Sequence, residues 1–134
     1  MSGETDLMKL LQSMQPERNT GEYVFCVLDS PKRLAEMTPL GFFLEKEGMT
    51  AILPRADADQ AGLSYAGTFA WITLTVHSSL EAVGLTAAVA RALTEADISC
   101  NVVAAFYHDH LFVPVADAER ALDALRTLSE QAGL

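Results

Sequence analysis

Basic residues and cysteines are scarce in this 134-residue sequence, and their scarcity excludes several classes of protein. Nine Lys and Arg against eighteen Asp and Glu give a formal charge of −9, which repels a polyanion, so we expect no nucleic-acid partner. Cys26 and Cys100 are too few for a disulfide framework or a cysteine zinc site. No apolar run approaches the roughly 20 residues that cross a bilayer, and the acidic N-terminus is unlike a secretory leader. We therefore expect a cytoplasmic protein with no membrane partner.

The most informative pattern in the sequence is a weak internal repeat. Residues 52–61 align with residues 112–121, and five of the ten positions are identical. The repeat predicts a duplication near residue 67, with an N-terminal helix and a degenerate unit in 1–67 and a second unit in 68–134. The alternative is coincidence, because Pro, Ala and Asp are all common where a strand leads into a helix.

The second half shows a clear order of elements. Over residues 69–76 the β-branched, aromatic and apolar side chains alternate between two faces, which predicts a strand. From Gly84 onward the apolar residues recur at helical spacing, which predicts an amphipathic helix. Two further strands are predicted at 98–106 and 111–115, and a last helix after Asp117. This β-α-β-β-α order is five of the six elements of a ferredoxin-like βαββαβ unit. We expect an α+β fold of tandem units of this type, with antiparallel sheets and helices on one face. Since an open sheet edge invites pairing, residues 22–28 or a second chain are expected to cover it.

The first half has less room between its strand and its copy of the repeat. The interval is 12 residues shorter than in the second half, so a full crossover helix does not fit. Segments 40–46 and 49–54, joined at Glu47-Gly48, are typical of a hairpin, and the competing interpretation is a helix over 41–47. An opening helix that ends at Pro16 is indicated by Leu7, Leu10, Leu11 and Met14.

Residues capable of catalysis or metal binding occur, but their arrangement argues against both. His108-Asp109-His110 between two apolar strands is typical of a solvated turn, with a ligand-contacting turn or a metal site that includes His77 as the alternatives. His77 and Ser78 are adjacent, and adjacent side chains on a strand point to opposite faces. No Gly-x-Ser-x-Gly, phosphate-binding or dinucleotide-binding motif is present. We predict no enzyme, no catalytic residue, no metal and no cofactor.

The connection at 76–86, between the first strand of the second unit and its helix, is a better candidate site. Backbone N–H groups at a strand-to-helix connection form a concave site suited to a carboxylate. Glu81, the hydroxyls of Ser78 and Ser79, or Asn101 offer acceptors for an amine. The alternative is an ordinary loop in which a serine caps the helix.

At this loop the sequence resembles a known family. Residues 71–89, followed by 98–103 and 110–114, resemble the ACT domain, in particular the aspartokinase-type tandem ACT proteins found as small free-standing bacterial chains. A more distant similarity is to the cytosolic arginine-sensing ACT proteins of eukaryotes. The resemblance covers 22–131 and is strongest over 69–115.

The resemblance implies a regulatory protein that binds an amino acid at an interface between domains or subunits. Gly84 matches the family's glycine at the loop-to-helix junction, where a missing side chain lets a ligand approach the backbone. The first half lacks the corresponding helix and glycine, so one site per chain is expected, completed by a second chain in a homodimer. The alternative function is an adaptor that docks a partner protein through its sheet edge. The expected ligand-binding residues are Ser78, Ser79, Leu80, Val83, Gly84, Leu85 and Thr86 on the loop, and Asn101 and Val102 on the facing strand.

Overall fold

A computed structural model of the protein describes residues 6–76 and 83–132, which fall into two compact units. The terminal unit combines the residues up to Thr20 with those from Ala70 onward, and the central unit is Gly21–Phe69. The helices are α1 (Leu7–Ser13), α2 (Arg55–Gln60), α3 (Leu85–Glu95) and α4 (Ala118–Ala132). The strands are β1 (Pro16–Arg18), β2 (Tyr23–Leu28), β3 (Gly41–Leu44), β4 (Met49–Pro54), β5 (Phe69–Leu74), β6 (Asn101–Ala104) and β7 (Asp109–Pro114).

The terminal unit is a sheet with helices packed on one face, as the ferredoxin-like pattern predicts. Its strands lie in the order β1-β5-β7-β6. Alternate residues of β5 and β7 face the apolar stripes of α3 and α4, because side chains alternate along a strand and recur every third or fourth residue on a helix. The α+β fold of ACT type is therefore confirmed. The fully buried core includes Ile72, Leu93, Leu111, Val113 and Leu125.

The opening helix α1 is part of this same core. The Asp6 side chain caps it by accepting hydrogen bonds from the backbone N–H groups of Met8 at 3.0 Å and Lys9 at 3.3 Å. Leu10, Leu11 and Met14 are buried among the residues of the terminal unit. The predicted opening helix is confirmed. The division into 1–67 and 68–134 stays a prediction, because compact packing and the boundary of a duplication are different properties.

The edge of β5 is covered by a segment that the sequence analysis did not anticipate. Pro16–Arg18 pairs antiparallel with Leu74, Thr73 and Ile72. The expected strand 22–28 pairs with β5 only at its start, where Tyr23 lies opposite Phe69, so the expectation is confirmed for that end of the edge alone. Backbone hydrogen bonds from Asn19 N to Trp71 O and from Thr75 N to Gln15 O extend the pairing at both ends. A three-residue strand with a proline and two charged residues has no alternating pattern by which the sequence would reveal it.

The central unit is a three-stranded sheet in the order β3-β4-β2, with Tyr23 also paired with Phe69. The predicted hairpin of β3 and β4 is confirmed, and the alternative helix over 41–47 is wrong. A short 3-10 helix, Pro31–Glu36, follows β2 in place of a crossover helix, as the shorter interval predicts. The core of this unit consists of Val24, Cys26, Leu28, Met49, Ala51, Leu53 and Ala58.

The two copies of the sequence repeat have the same local structure. Each copy ends a strand at a proline, and the dihedral angles are φ −55° and ψ 137° at Pro54 and φ −53° and ψ 138° at Pro114. A helical turn follows immediately in both. Pro54 and Pro114 therefore lie at equivalent structural positions, and the Ala-Asp-Ala triplets that follow them both lie in the first helical turns. The fifth shared residue differs, because Ala61 follows the end of α2 whereas Ala121 lies within α4.

Candidate functional site

The described part of the predicted loop begins where α3 starts. Gly84 is the residue before the helix and has φ +99°, in the left-handed region that favours glycine. A Cβ atom at Gly84 would lie 3.1 Å from Cδ2 of Leu7 in α1, so glycine is also the residue that fits. Ser78, Ser79 and Leu80 lie outside the described residues, as do His77 and Glu81.

The other predicted loop residues divide by exposure. Val83 is 82% exposed, and Thr86 is exposed on the first turn of α3. Leu85 is 3% exposed and belongs to the core of the terminal unit. A ligand can therefore reach Val83, Thr86 and the backbone of Gly84. The Leu85 side chain instead packs in the core and anchors the first turn of α3.

Asn101 and Val102 lie at a distance from this loop within the unit. They begin β6, which is separated from the end of α3 by residues 96–100. The length of α3, about 16 Å at 1.5 Å per residue, therefore lies between Gly84 and Asn101. Asn101 is exposed and pairs with Phe112, and Val102 pairs with Leu111 and packs on the core. The terminal unit does not bring these two residues to the loop. Their predicted role requires that they face the loop of another domain or chain.

The structure places a buried carboxylate at the same end of the sheet as the loop. Asp109 is the first residue of β7, pairs with Ala104 and is only 7% exposed. Its neighbour His108 has Nδ1 at 3.4 Å from the carbonyl oxygen of Val76, the last described residue before the loop. Asp109 shares its face of β7 with the core residues Leu111 and Val113, so it lies on the side of the sheet that carries the helices.

The chemistry of Asp109 differs from that of a turn residue. Burial raises the pKa of the Asp109 carboxyl, and the nearby His110 and His108 oppose that shift. Among the described residues, no fully buried side-chain oxygen lacks a hydrogen-bond partner, so the Asp109 carboxylate is not an isolated buried charge. Burial nevertheless disfavours its charged form, and a nearby ammonium group would favour that form.

The expectation of a solvated turn at Tyr107–His110 is therefore wrong for its second half. The turn is formed by 105–108 and is closed by a hydrogen bond from Ala105 N to His108 O at 3.1 Å, and Asp109 and His110 already belong to β7. The first two residues of β7, Asp109 and His110, are polar, so the sequence does not mark the start of the strand by an apolar run. The signal that was available is that Asp109, Leu111 and Val113 continue one alternating series.

His110 is held on the face of the sheet opposite to the helices. Its Nδ1 accepts a hydrogen bond from Nε1 of Trp71 at 3.0 Å and lies 3.1 Å from Oγ1 of Thr73. The Asn19 side-chain amide donates to Thr73 Oγ1 at 3.0 Å, which ties β1 into the same network. Because the Trp71 N–H needs an unprotonated Nδ1, the neutral tautomer of His110 carries its proton on Nε2. Among the described residues, no group of three His, Cys, Asp or Glu side chains is placed to hold a metal ion.

The His110 network predicts a pH dependence of stability. Burial lowers the pKa of His110, the neighbouring His108 lowers it further, and Asp109 opposes the shift. Since the unfolded chain then takes up the proton first, stability conferred by neutral His110 is lost as the pH falls from about 6.5 toward the lower folded-state pKa. We expect wild type to lose stability relative to His110→Gln between pH 7.5 and 5.5, as measured by urea denaturation. His108→Gln is the control, and equal pH dependence of wild type and His110→Gln would contradict the prediction.

A groove of about 680 Å³ lies elsewhere in the terminal unit, between the outer faces of α3 and α4. Its lining combines five alanines and Leu128 with polar side chains, which include an exposed ion pair between Arg91 and Glu95. An exposed pair one helical turn apart is explained by helix stability alone. The groove contains no buried polar side chain that would orient a small ligand, so it is a weaker candidate than the loop and Asp109.

Comparison with known proteins agrees with this fold. Family profiles described as ACT domains match residues 2–70 and residues 68–127. The chain therefore belongs to the ACT-domain family and carries two ACT domains in tandem. ACT domains are typically amino-acid-binding regulatory modules. No curated protein matches the sequence.

Solved structures of similar fold include the following three. A Vibrio cholerae protein described as being of unknown function and a possible transport protein is 48% identical, with a TM-score of 0.84 and 92% of this chain and 95% of that chain covered. An Agrobacterium tumefaciens protein is 17% identical, with a TM-score of 0.73 and 87% and 89% covered. The ligand-free regulatory subunit of aspartate kinase from Thermus thermophilus is 12% identical, with a TM-score of 0.66 and 88% and 97% covered, which shows a shared fold. None of the helices within residues 6–76 and 83–132 is long and apolar enough to cross a membrane.

Proposed function

We propose that this protein is a non-catalytic regulatory module that binds a free amino acid at the junction of β5, α3 and β7. The observation that carries the proposal is the buried carboxylate of Asp109, which lies at the sheet end where the connection to α3 begins. A regulatory rather than catalytic role is supported by the match of ACT domains to nearly the whole chain and by the similarity to aspartate kinase regulatory subunits.

The two ends of an amino acid are recognised by different groups in this proposal. The α-carboxylate is bound by backbone N–H groups at the start of α3, with hydroxyl donors from Ser78 and Ser79. The α-ammonium group is bound by Asp109, whose charged form it stabilises against the effect of burial. The side chain of the amino acid contacts Leu80, Val83 and Thr86, and Gly84 leaves the backbone open to it.

The remaining predicted residues belong to the facing side of the site. Asn101 and Val102 lie too far from Gly84 to complete the site within the terminal unit, so we place them opposite the loop of a second copy in a homodimer. Only one site per chain is proposed, because the central unit has a 3-10 helix where the terminal unit has α3.

Thermal denaturation in the presence of each of the common amino acids tests the proposal. The only tryptophan, Trp71, lies in β5 of the terminal unit and reports on unfolding of the unit that holds the site. A ligand present at 100 times its dissociation constant stabilises the fold by about 2.7 kcal/mol. The α-amide and the N-acetyl derivative of the same amino acid are both expected to lose this effect, since each lacks one of the two charged groups. Absence of a shift with every amino acid would overturn the proposal.

The adaptor alternative is favoured by a separate observation, the exposed apolar side chains of β3. An adaptor of this kind shows no thermal shift with any amino acid and retains its partner when the loop is altered by Gly84→Trp. Amino-acid binding that the derivatives abolish would contradict the adaptor.

A further inference from the structure

The turn that joins β6 to β7 carries two large aromatic side chains at its tip. Phe106 and Tyr107 are the central residues of the turn that the hydrogen bond from Ala105 N to His108 O closes. Their rings form an edge-to-face pair, with centroids 5.0 Å apart and 83° between the ring planes. The two residues are 59% and 68% exposed and lie outside the core of the terminal unit. Since turn positions favour small or polar residues, neither the turn nor the core explains this aromatic pair.

Strand pairing places the aromatic pair at the end of the sheet where the candidate site lies. Ala104 at the end of β6 pairs with Asp109 at the start of β7, so the turn directly adjoins the Asp109 carboxylate. The Nδ1 atom of His108 lies 3.4 Å from the carbonyl oxygen of Val76, where β5 leads into the connection to α3. Val83, near the other end of that connection, is also an exposed apolar residue. Exposed apolar side chains therefore occur on two segments at this end of the sheet.

The charges of these segments limit which side chain an amino-acid ligand can carry. Residues 75–90 and 104–110 contain no Lys or Arg. A carboxylate side chain would therefore add a negative charge beside Asp109 with no permanent cation from these segments to offset it. Among the described residues of the same segments, Asp109 is the only acidic one, and it binds the α-ammonium group in the proposed function. A cationic side chain would find no second carboxylate there, whereas an apolar side chain needs no countercharge.

We infer that Phe106 and Tyr107 determine the specificity of the site, and that its ligand is an amino acid with a large apolar side chain. The inference rests on the proposed function and adds the class of ligand and two residues that recognise it. The two rings and Val83 contact the side chain of the amino acid, while Asp109 and the start of α3 bind its charged groups. Because burial of apolar surface contributes in proportion to its area, affinity is expected to rise with the size of that side chain.

Calorimetric titration with leucine, phenylalanine, aspartate, lysine and glycine tests the inference. We expect wild type to bind leucine or phenylalanine roughly tenfold or more tightly than aspartate, lysine or glycine. Phe106→Ala and Tyr107→Ala are each expected to remove most of this preference and to leave any binding of glycine unchanged, since glycine has no side chain to contact the rings. Tyr107→Phe keeps the ring and is expected to retain the preference. The matched control is Phe42→Ala, which removes an exposed phenylalanine from β3 of the central unit and is expected to change nothing.

The outcomes separate failure of the inference from failure of the proposed function. Preference for aspartate or lysine, or undiminished affinity for the apolar amino acid in both alanine variants, would overturn the inference and leave the proposed function standing. Absence of binding by every amino acid would overturn both. The alanine variants are expected to fold, because both side chains are mostly exposed, and urea denaturation followed by Trp71 fluorescence checks this.

Discussion

Asp109→Asn is expected to stabilise the ligand-free protein and to abolish its stabilisation by an amino acid. Burial raises the pKa of the wild-type carboxyl, which means that the folded state holds a proton more tightly than the unfolded state. Stability is therefore lost as the pH rises through the raised pKa. Removing the charge is expected to increase the free energy of unfolding at neutral pH by on the order of 1 kcal/mol. The same change removes the negative charge that attracts the ligand's ammonium group and places an amide N–H₂ donor where one carboxylate oxygen was.

Opposite effects on stability and on binding distinguish this account from simple damage to the fold. Urea denaturation gives the first effect and calorimetric titration with the best amino acid gives the second. Asp123→Asn, which alters an exposed carboxylate on α4, is the matched control and is expected to change neither. If Asp109→Asn destabilises the ligand-free protein, or binds the amino acid as tightly as wild type, then Asp109 does not have the proposed role.

Leu10→Ala is expected to cause a large decrease in the free energy of unfolding. Leu10 lies in α1, only a few residues from the start of the chain, but its side chain is fully buried in the core of the terminal unit. Truncation of a fully buried leucine costs about 2 to 5 kcal/mol, through lost apolar burial and the cavity that remains. Urea denaturation followed by Trp71 fluorescence measures the loss in the unit concerned.

Two comparisons give this result its meaning. Leu93→Ala in α3 removes an equally buried leucine from the same core and is expected to cost a similar amount. Met8→Ala, on the half-exposed side of α1, is expected to change stability by less than about 0.5 kcal/mol. If Leu10→Ala behaves like Met8→Ala, α1 is an appendage rather than part of the ACT fold of the terminal unit.

Most of the fold is predictable from the sequence because its elements carry strong periodic signals. The helix that starts at Leu85 follows an apolar stripe at helical spacing, and the hairpin of β3 and β4 is signalled by Glu47-Gly48 between two apolar runs. The lack of a crossover helix after β2 follows from chain length alone. These features are local, so a short window of sequence contains the information that determines them.

The parts that escaped prediction depend on contacts between distant segments. Pro16–Arg18 becomes a strand because α1 docks in the terminal core and leads the chain along β5, which no local pattern reveals. Asp109 is buried because the tight turn before it brings β7 into register with β6. Its position beside the loop follows from the pairing of strands in the folded sheet and cannot be predicted from the local sequence. Polar residues at the start of a strand are thus the least predictable part of this candidate site.

The central claim is that an amino acid binds between the start of α3 and the start of β7. A map of backbone amide chemical shifts, recorded while titrating the amino acid that gives the largest thermal shift, tests it most directly. The account predicts saturable changes concentrated at Val83–Thr86 and at His108–His110. Changes confined to the groove between α3 and α4, or to the β3 edge, would contradict it.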